Sequence, residues 1–142
     1  MKTPARLLLP LLLILAPAVR AAEKGGFKYP PVFEGARTEV YKTVGDVKLS
    51  LSIFEPATGP KTGRPAIVFF FGGGWTNGSP AQFEQQCRHL ASRGMVAITA
   101  DYRVASRHQV KPVACVADAK SALRWVRANA RSEEHTSELQ SH

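Results

Sequence analysis

Little in this chain argues for a membrane-spanning or nucleic-acid-binding protein. No apolar stretch reaches the roughly 20 residues that crossing a bilayer takes, and the run at residues 7–19 falls well short. The net charge is +8, yet lysine and arginine form no dense cluster and no aromatic residues interleave with them. That pattern gives a nucleic-acid partner little support. Cysteine is nearly absent, with only Cys87 and Cys115, so at most one disulfide can form. His89 has no partner at metal-ligand spacing, and no internal repeat is visible.

What is present begins with an export signature. Lys2 and Arg6 precede the apolar run, which closes on Val19-Arg20-Ala21. A basic start, a short apolar core and small residues at the cut mark a secretory signal over residues 1–21. Cleavage is expected after Ala21, in preference to an uncleaved anchor, giving a secreted or periplasmic protein with no membrane partner thereafter. Lys2, Arg6 and Arg20 account for three of the positive charges, so the remainder is only mildly basic. Residues 22–37, rich in glycine and proline, read as a leader arm rather than a domain.

Residues 38–44 and 47–54 are strand-like and flank Gly45-Asp46, a two-residue connection of the kind hairpins favour. Leu49, Leu51 and Ile53 alternate with Ser50 and Ser52, so the second strand is expected to bury one face. Pro56, Gly59, Pro60 and Gly63 make 55–64 a loop. Residues 66–71 are an unbroken apolar run with a β-branched and aromatic bias, the pattern of a strand buried on both faces. A helix is predicted over 81–93, with Phe83, Cys87, Leu90 and Ala91 on one stripe and Gly94 at its C-terminal cap. A strand over 95–100 and a loop through Arg107 and His108 follow. The next predicted helix covers 113–130, with Val116, Ala119, Leu123, Val126 and Ala130 as its apolar stripe. A hairpin followed by strand, helix, strand, helix implies an α/β fold in which parallel strands are joined by helical crossovers.

The stretch that organises the rest is Gly72-Gly73-Gly74-Trp75, between the apolar strand and Ser79-Pro80. Three residues without a Cβ let the backbone come close to a ligand. Ser79-Pro80 is a good helix start, with a hydroxyl cap and proline at the first position. Strand, glycine turn and helix place N–H groups at the carboxyl edge of a sheet, where open α/β folds bind ligands. Phe71-Gly72-Gly73-Gly74-Trp75 resembles the His-Gly-Gly-Gly-aromatic oxyanion loop of α/β-hydrolase esterases and lipases, with Phe71 standing where the usual loop has histidine. Residues 41–130 resemble the N-terminal half of secreted bacterial esterases of the feruloyl/acetyl-esterase-like type. Thr99-Ala100-Asp101-Tyr102-Arg103 and Asp118-Ala119-Lys120-Ser121-Ala122 also carry that resemblance.

The resemblance implies the N-terminal half of an α/β-hydrolase fold over 38–130. It also implies a carboxylic-ester hydrolase needing no cofactor or metal, acting on a small-molecule or polysaccharide-linked ester. Gly72, Gly73 and Gly74 are the candidate oxyanion donors, and Trp75 is a candidate wall of the substrate pocket. The nucleophile of such enzymes sits on a Gly-x-Ser-x-Gly elbow after a further strand. No glycine follows Gly94, and no serine in the chain has that setting. The triad is therefore expected to be missing, with an elbow about 15–25 residues beyond Ala130 in the intact enzyme. Residues 131–142 resemble the translation of a sequencing adapter and are set aside, in preference to a natural polar tail.

The implied strand order sets the two crossover helices on opposite faces of the sheet. Cys87 and Cys115 are then too far apart to bridge and are expected as buried thiols. Asp101 is expected to accept loop N–H groups, and His89 and Asp118 to be structural. Arg107 and His108 are expected in a solvated loop, and Lys120, Arg124 and Arg127 on an exposed helix face. Two other functions fit part of the pattern. Gly72 to Gly78 followed by Asp101 has the look of a dinucleotide-binding turn, and an exported fragment without activity is the third reading.

Overall fold

The Gly45-Asp46 turn folds β1 (Arg37–Val44) back on β2 (Val47–Phe54), with Val44 opposite Val47. The computed structural model describes residues 29–139, with side chains as far as residue 130. The signal segment, the first part of the leader arm at 22–28 and the side chains of the 131–142 tail lie outside the described residues. After the hairpin come β3 (Ala66–Phe70), a 3-10 turn (Pro80–Phe83), α1 (Glu84–Ser92) and β4 (Val96–Ala100). A single helical turn, α2 (Ala105–His108), and the long α3 (Pro112–Leu139) complete the chain. The sheet order is β1-β2-β4-β3, with β3 and β4 parallel and the other pairs antiparallel. This is the expected α/β arrangement of a hairpin followed by parallel strands with a helical crossover.

Period-2 alternation sorts the strand residues into two layers. Ala97 and Phe54 pack with Cys87 of α1, and Ile67 and Phe69 lean on that cluster. Leu51, Ile53, Ile98 and Ala100 pack with Ala122 of α3, joined by Val68, Phe70, Trp125 and Val126. Each fully buried aliphatic or aromatic side chain contributes roughly 1.5–3 kcal/mol relative to exposure. Cys87 and Cys115 are both buried and unpaired, in different clusters.

Several local expectations need correcting. β2 buries both faces at its carboxyl end, because Ser52 and Phe54 meet the α1 side as Leu51 and Ile53 meet the α3 side. β3 packs on both faces but is only half-buried, since it is an edge strand. The leader arm is part of the core at its end: Phe33 is buried against Phe54, with ring centroids 5.6 Å apart. The helix read at 81–93 starts as a 3-10 turn, and Arg107 and His108 sit in the helical turn α2 rather than a plain loop. The backbone of α3 runs past Ala130 to Leu139, through residues with neither glycine nor proline to stop it.

The largest correction concerns α3. Its inward side carries Cys115, Asp118 and Ala122, whereas Val116 and Leu123 of the expected stripe are exposed and Ala130 lies outside. Asp118 turns the helix. Its carboxylate accepts from Lys42 Nζ at 2.6 Å and from Arg103 Nε and Nη2 at 2.8 and 3.0 Å. A bulge in β1 between Val40 and Lys42 lies where Lys42 is aimed at this carboxylate, a common use of bulges.

Burial pushes the Asp118 carboxyl up, but the bonds from Arg103 and Lys42 outweigh it and hold the group below its ordinary value of 3.8. A depressed folded-state value means that the stabilisation is complete above the unfolded-state value and is lost as pH falls through the folded one. Stability should therefore drop below about pH 4. Asp118→Asn leaves Arg103 and Lys42 without their counter-charge and should cost roughly 3 kcal/mol at neutral pH. Urea melts at pH 7 and pH 3.5 check this, with the gap between mutant and parent narrowing at the lower pH.

Candidate active site

β3 and β4 run parallel, so the loops that leave them emerge at the same carboxyl edge. The first holds Gly72-Gly73-Gly74-Trp75 and the second Asp101-Tyr102-Arg103. The two are joined by ring contacts and hydrogen bonds. The Phe71 ring stacks on Tyr102 with centroids 4.1 Å apart and planes 14° apart. The Tyr102 hydroxyl donates to the Phe71 carbonyl. Ala105 N–H donates to the Trp75 carbonyl at 3.0 Å, and Ser106 N–H to that of Thr76 at 2.9 Å.

Within the glycine loop the carbonyls face inward. The Gly73 carbonyl accepts from Thr76 and Asn77 N–H at 3.1 and 3.3 Å. The Gly74 carbonyl accepts from Thr76 Oγ1 at 3.3 Å. The Gly72 carbonyl lies under Gly78, whose Cβ, if it had one, would sit 2.3 Å from that oxygen. A trans peptide is planar, with its N–H pointing opposite its C=O. Carbonyls held inside the turn therefore direct the N–H groups of Gly73, Gly74 and Trp75 away from it. Among the described residues none of these three amides donates a hydrogen bond. Gly72 differs, because its N–H is taken by Gln82 Oε1 at 2.6 Å. Of the three glycines expected as donors, Gly73 and Gly74 are open and Gly72 is not.

Trp75 is exposed and adopts φ +65°, a conformation that is an outlier for a bulky residue and is typical of functional loops. Its ring meets Tyr102 edge-on at 6.4 Å. Trp75, Phe70, Phe71 and Tyr102, with Val116 and Leu123 of α3, line a groove of about 360 Å³ beside the open amides. The exposed apolar side of α3 thus forms one wall of the candidate site.

Asp101 accepts the N–H of Tyr102 at 2.8 Å, as expected, and also the hydroxyl of Tyr29 from the arm. Burial raises its carboxyl against these two bonds, and burial together with Asp101 raises the Tyr29 phenol. Arg107 lies over the Tyr29 ring at 3.8 Å and donates to its hydroxyl at 2.9 Å. His108 is not left to solvent: its Nδ1 accepts the N–H of Val104 at 3.1 Å. Asp101, Arg107 and His108 therefore shape the rim. Burial pushes the Cys87 thiol up to about 11, which leaves it inert near neutral pH. No group of His, Cys, Asp or Glu among the described residues has metal-binding geometry.

Comparison with known proteins shows the family. The BD-FAE family model matches residues 51–138. Esterase LipC of Mycobacterium tuberculosis is 38% identical over 71 residues, covering 49% of this chain and 17% of that protein. Probable carboxylesterase 8 of Arabidopsis thaliana is 32% identical over 85 residues, covering 57% of this chain and 25% of that one. A thermophilic esterase of the Planctomycetes species Thermogutta terrifontis, Est2 with propionate bound, is 62% identical with a TM-score of 0.69. That match covers 72% of this chain and 38% of that structure. The chain thus spans a quarter or less of these curated relatives and well under half of the solved structure. These matches set aside the dinucleotide-binding alternative.

Gly73 and Gly78 should be the least replaceable residues of the loop. A Cβ on Gly73 would lie 2.2 Å from the Asn77 carbonyl oxygen, at φ +143°. One on Gly78 would lie 2.3 Å from the Gly72 carbonyl and 2.5 Å from the Phe71 ring, at φ +114°. Gly78→Ala should cost roughly 2–4 kcal/mol through overpacking and backbone strain. Gly74→Ala, at φ +60° with nothing within 4 Å, should cost only about 1–2 kcal/mol. Denaturant midpoints of the two variants measure the difference.

Proposed function

Because the chain belongs to the BD-FAE family, within the α/β-hydrolase esterases, we propose that it carries the oxyanion-binding part of an exported carboxylic-ester hydrolase. The observation behind this reading is the set of open amides at Gly73 and Gly74, turned out of the loop at the carboxyl edge of the sheet. When a serine attacks an ester carbonyl, negative charge gathers on the carbonyl oxygen. Preorganised N–H donors stabilise that charge, and losing one typically costs about 10²–10³ in rate. Main-chain donors need no particular side chain at position 71, so phenylalanine there is compatible with the chemistry. The groove beside Trp75 suits the apolar part of the ester. No serine in the chain has the Gly-x-Ser-x-Gly setting, so these 142 residues alone should not turn over substrate.

A short carboxylate is the direct probe, since its oxygen carries the charge that the site is built for. Acetate added to the ¹⁵N-labelled chain should shift the Gly73 and Gly74 amide signals saturably and leave Gly72 nearly unmoved, while p-nitrophenyl acetate is not hydrolysed above background. Unresponsive Gly73 and Gly74 signals would overturn the proposal. Export adds a separate expectation: the mass of the exported chain should correspond to a start at Ala22, and a retained Met1 would refute cleavage.

A further inference from the structure

Gly72 is the one amide of the glycine loop that a side chain holds, and the peptide it belongs to is held at both ends. The Phe71 carbonyl and the Gly72 N–H are parts of the same planar unit. The carbonyl accepts from the Tyr102 hydroxyl, and the N–H donates to Gln82 Oε1 at 2.6 Å. Such opposed bonds fix the tilt of the plane. The next two peptides carry the open N–H groups of Gly73 and Gly74, and this pinned plane is the fixed end from which they leave the sheet.

Gln82 is itself well anchored. Its N–H donates to the Ser79 carbonyl at 3.1 Å, and the Ser79 hydroxyl caps Ala81 N–H at 3.3 Å. The Pro80 carbonyl accepts from Thr99 Oγ1 at 3.0 Å, which ties the 3-10 turn to β4. The side chain is thus a strut from the central sheet to the loop. Phe71, in the place where the resembled loop has histidine, offers no polar side-chain atom that could take over the task.

We infer that Gln82 is the positioning residue of the oxyanion loop, acting through the Phe71–Gly72 peptide and not by touching substrate. The inference rests on the oxyanion reading of Gly73 and Gly74. It requires an acceptor at the end of a side chain of this length, so Gln82→Met should fail where Gln82→Glu holds the pin.

Amide exchange and acetate titration of the ¹⁵N-labelled full chain test this. In Gln82→Met the Gly72 amide should exchange roughly two- to tenfold faster, the range expected for one lost hydrogen bond. The acetate response of Gly73 and Gly74 should weaken by a similar factor, with the remaining spectrum unchanged. In Gln82→Glu the Gly72 amide should stay slow. If Gly72 quickens in Gln82→Met while Gly73 and Gly74 respond to acetate as in the parent, the positioning role is wrong and the oxyanion reading stands. If the parent amides ignore acetate, both fall. Should Gln82→Met lose its folded spectrum, a Gly72 amide in Gln82→Glu that exchanges as fast as an unbonded one overturns the inference on its own.

Discussion

The hydroxyl of Tyr102 on the carbonyl of Phe71 is the contact that ties the two loops at the carboxyl edge of this sheet to each other. The loops after β3 and β4 would otherwise each present a flexible set of backbone groups to solvent. Ring stacking at 4.1 Å and the bonds from Ala105 and Ser106 to the Trp75 and Thr76 carbonyls turn them into one unit. Inside such a unit every satisfied carbonyl directs an amide elsewhere, because peptide planarity couples the two. Donors left over at Gly73 and Gly74 are thus a by-product of how thoroughly the acceptors are used.

Two buried carboxylates support that edge by different means. Asp118 gathers two cations from β1 and the β4 loop, at 2.6 and 2.8 Å. Asp101 meets neutral donors, the Tyr29 hydroxyl and the Tyr102 N–H, and its carboxyl rises where that of Asp118 falls. The contrast follows from the partners: two direct ion pairs at Asp118 outweigh the loss of water, whereas two neutral bonds at Asp101, even with the charge of Arg107 acting on it, do not. Both carboxylates act on the same short stretch, since Asp118 holds Arg103 and Asp101 holds Tyr102. The conformation of residues 101–104, and through them of the glycine loop, depends on buried charges on either side of the sheet end.

Local periodicity carried the hairpin, both parallel strands and the α1 stripe, because each is decided by which residues leave water. That a glycine turn leaves the sheet at its carboxyl edge was legible from composition, whereas its reading as an oxyanion loop came from resemblance, since a dinucleotide-binding turn fits the same glycines. The rotation of α3 was not legible. A pattern reading puts an aspartate on the wet side, and the partners that bury Asp118 lie 76 and 15 residues away in sequence. Gln82 was hidden for a related reason, since nothing in a glutamine two residues into a helix start announces a bond to an amide ten positions earlier. Phe33 was lost to the glycines and prolines around it, which mark an arm by composition although its end packs into the core. Each miss is a contact between segments that periodicity treats one at a time.

Phenylalanine at position 71 holds the glycine loop by packing where the resembled loop has a polar ring. A histidine there could steady the loop through its ring nitrogens, and a phenyl ring cannot. Its flat face instead covers Tyr102, bringing the phenol oxygen onto the carbonyl of the same residue. It also fills the space beside Gly78, where no side chain fits. Order in this loop rests on a stacked ring, a hydroxyl and the bond from Gly72 to Gln82. The strain of Trp75 at φ +65° persists within that frame, since its carbonyl is tied to Ala105 and its ring rests edge-on against Tyr102. An aromatic held there against its backbone preference stands beside open amides, which is the combination a site needs to seat an apolar group next to a developing charge.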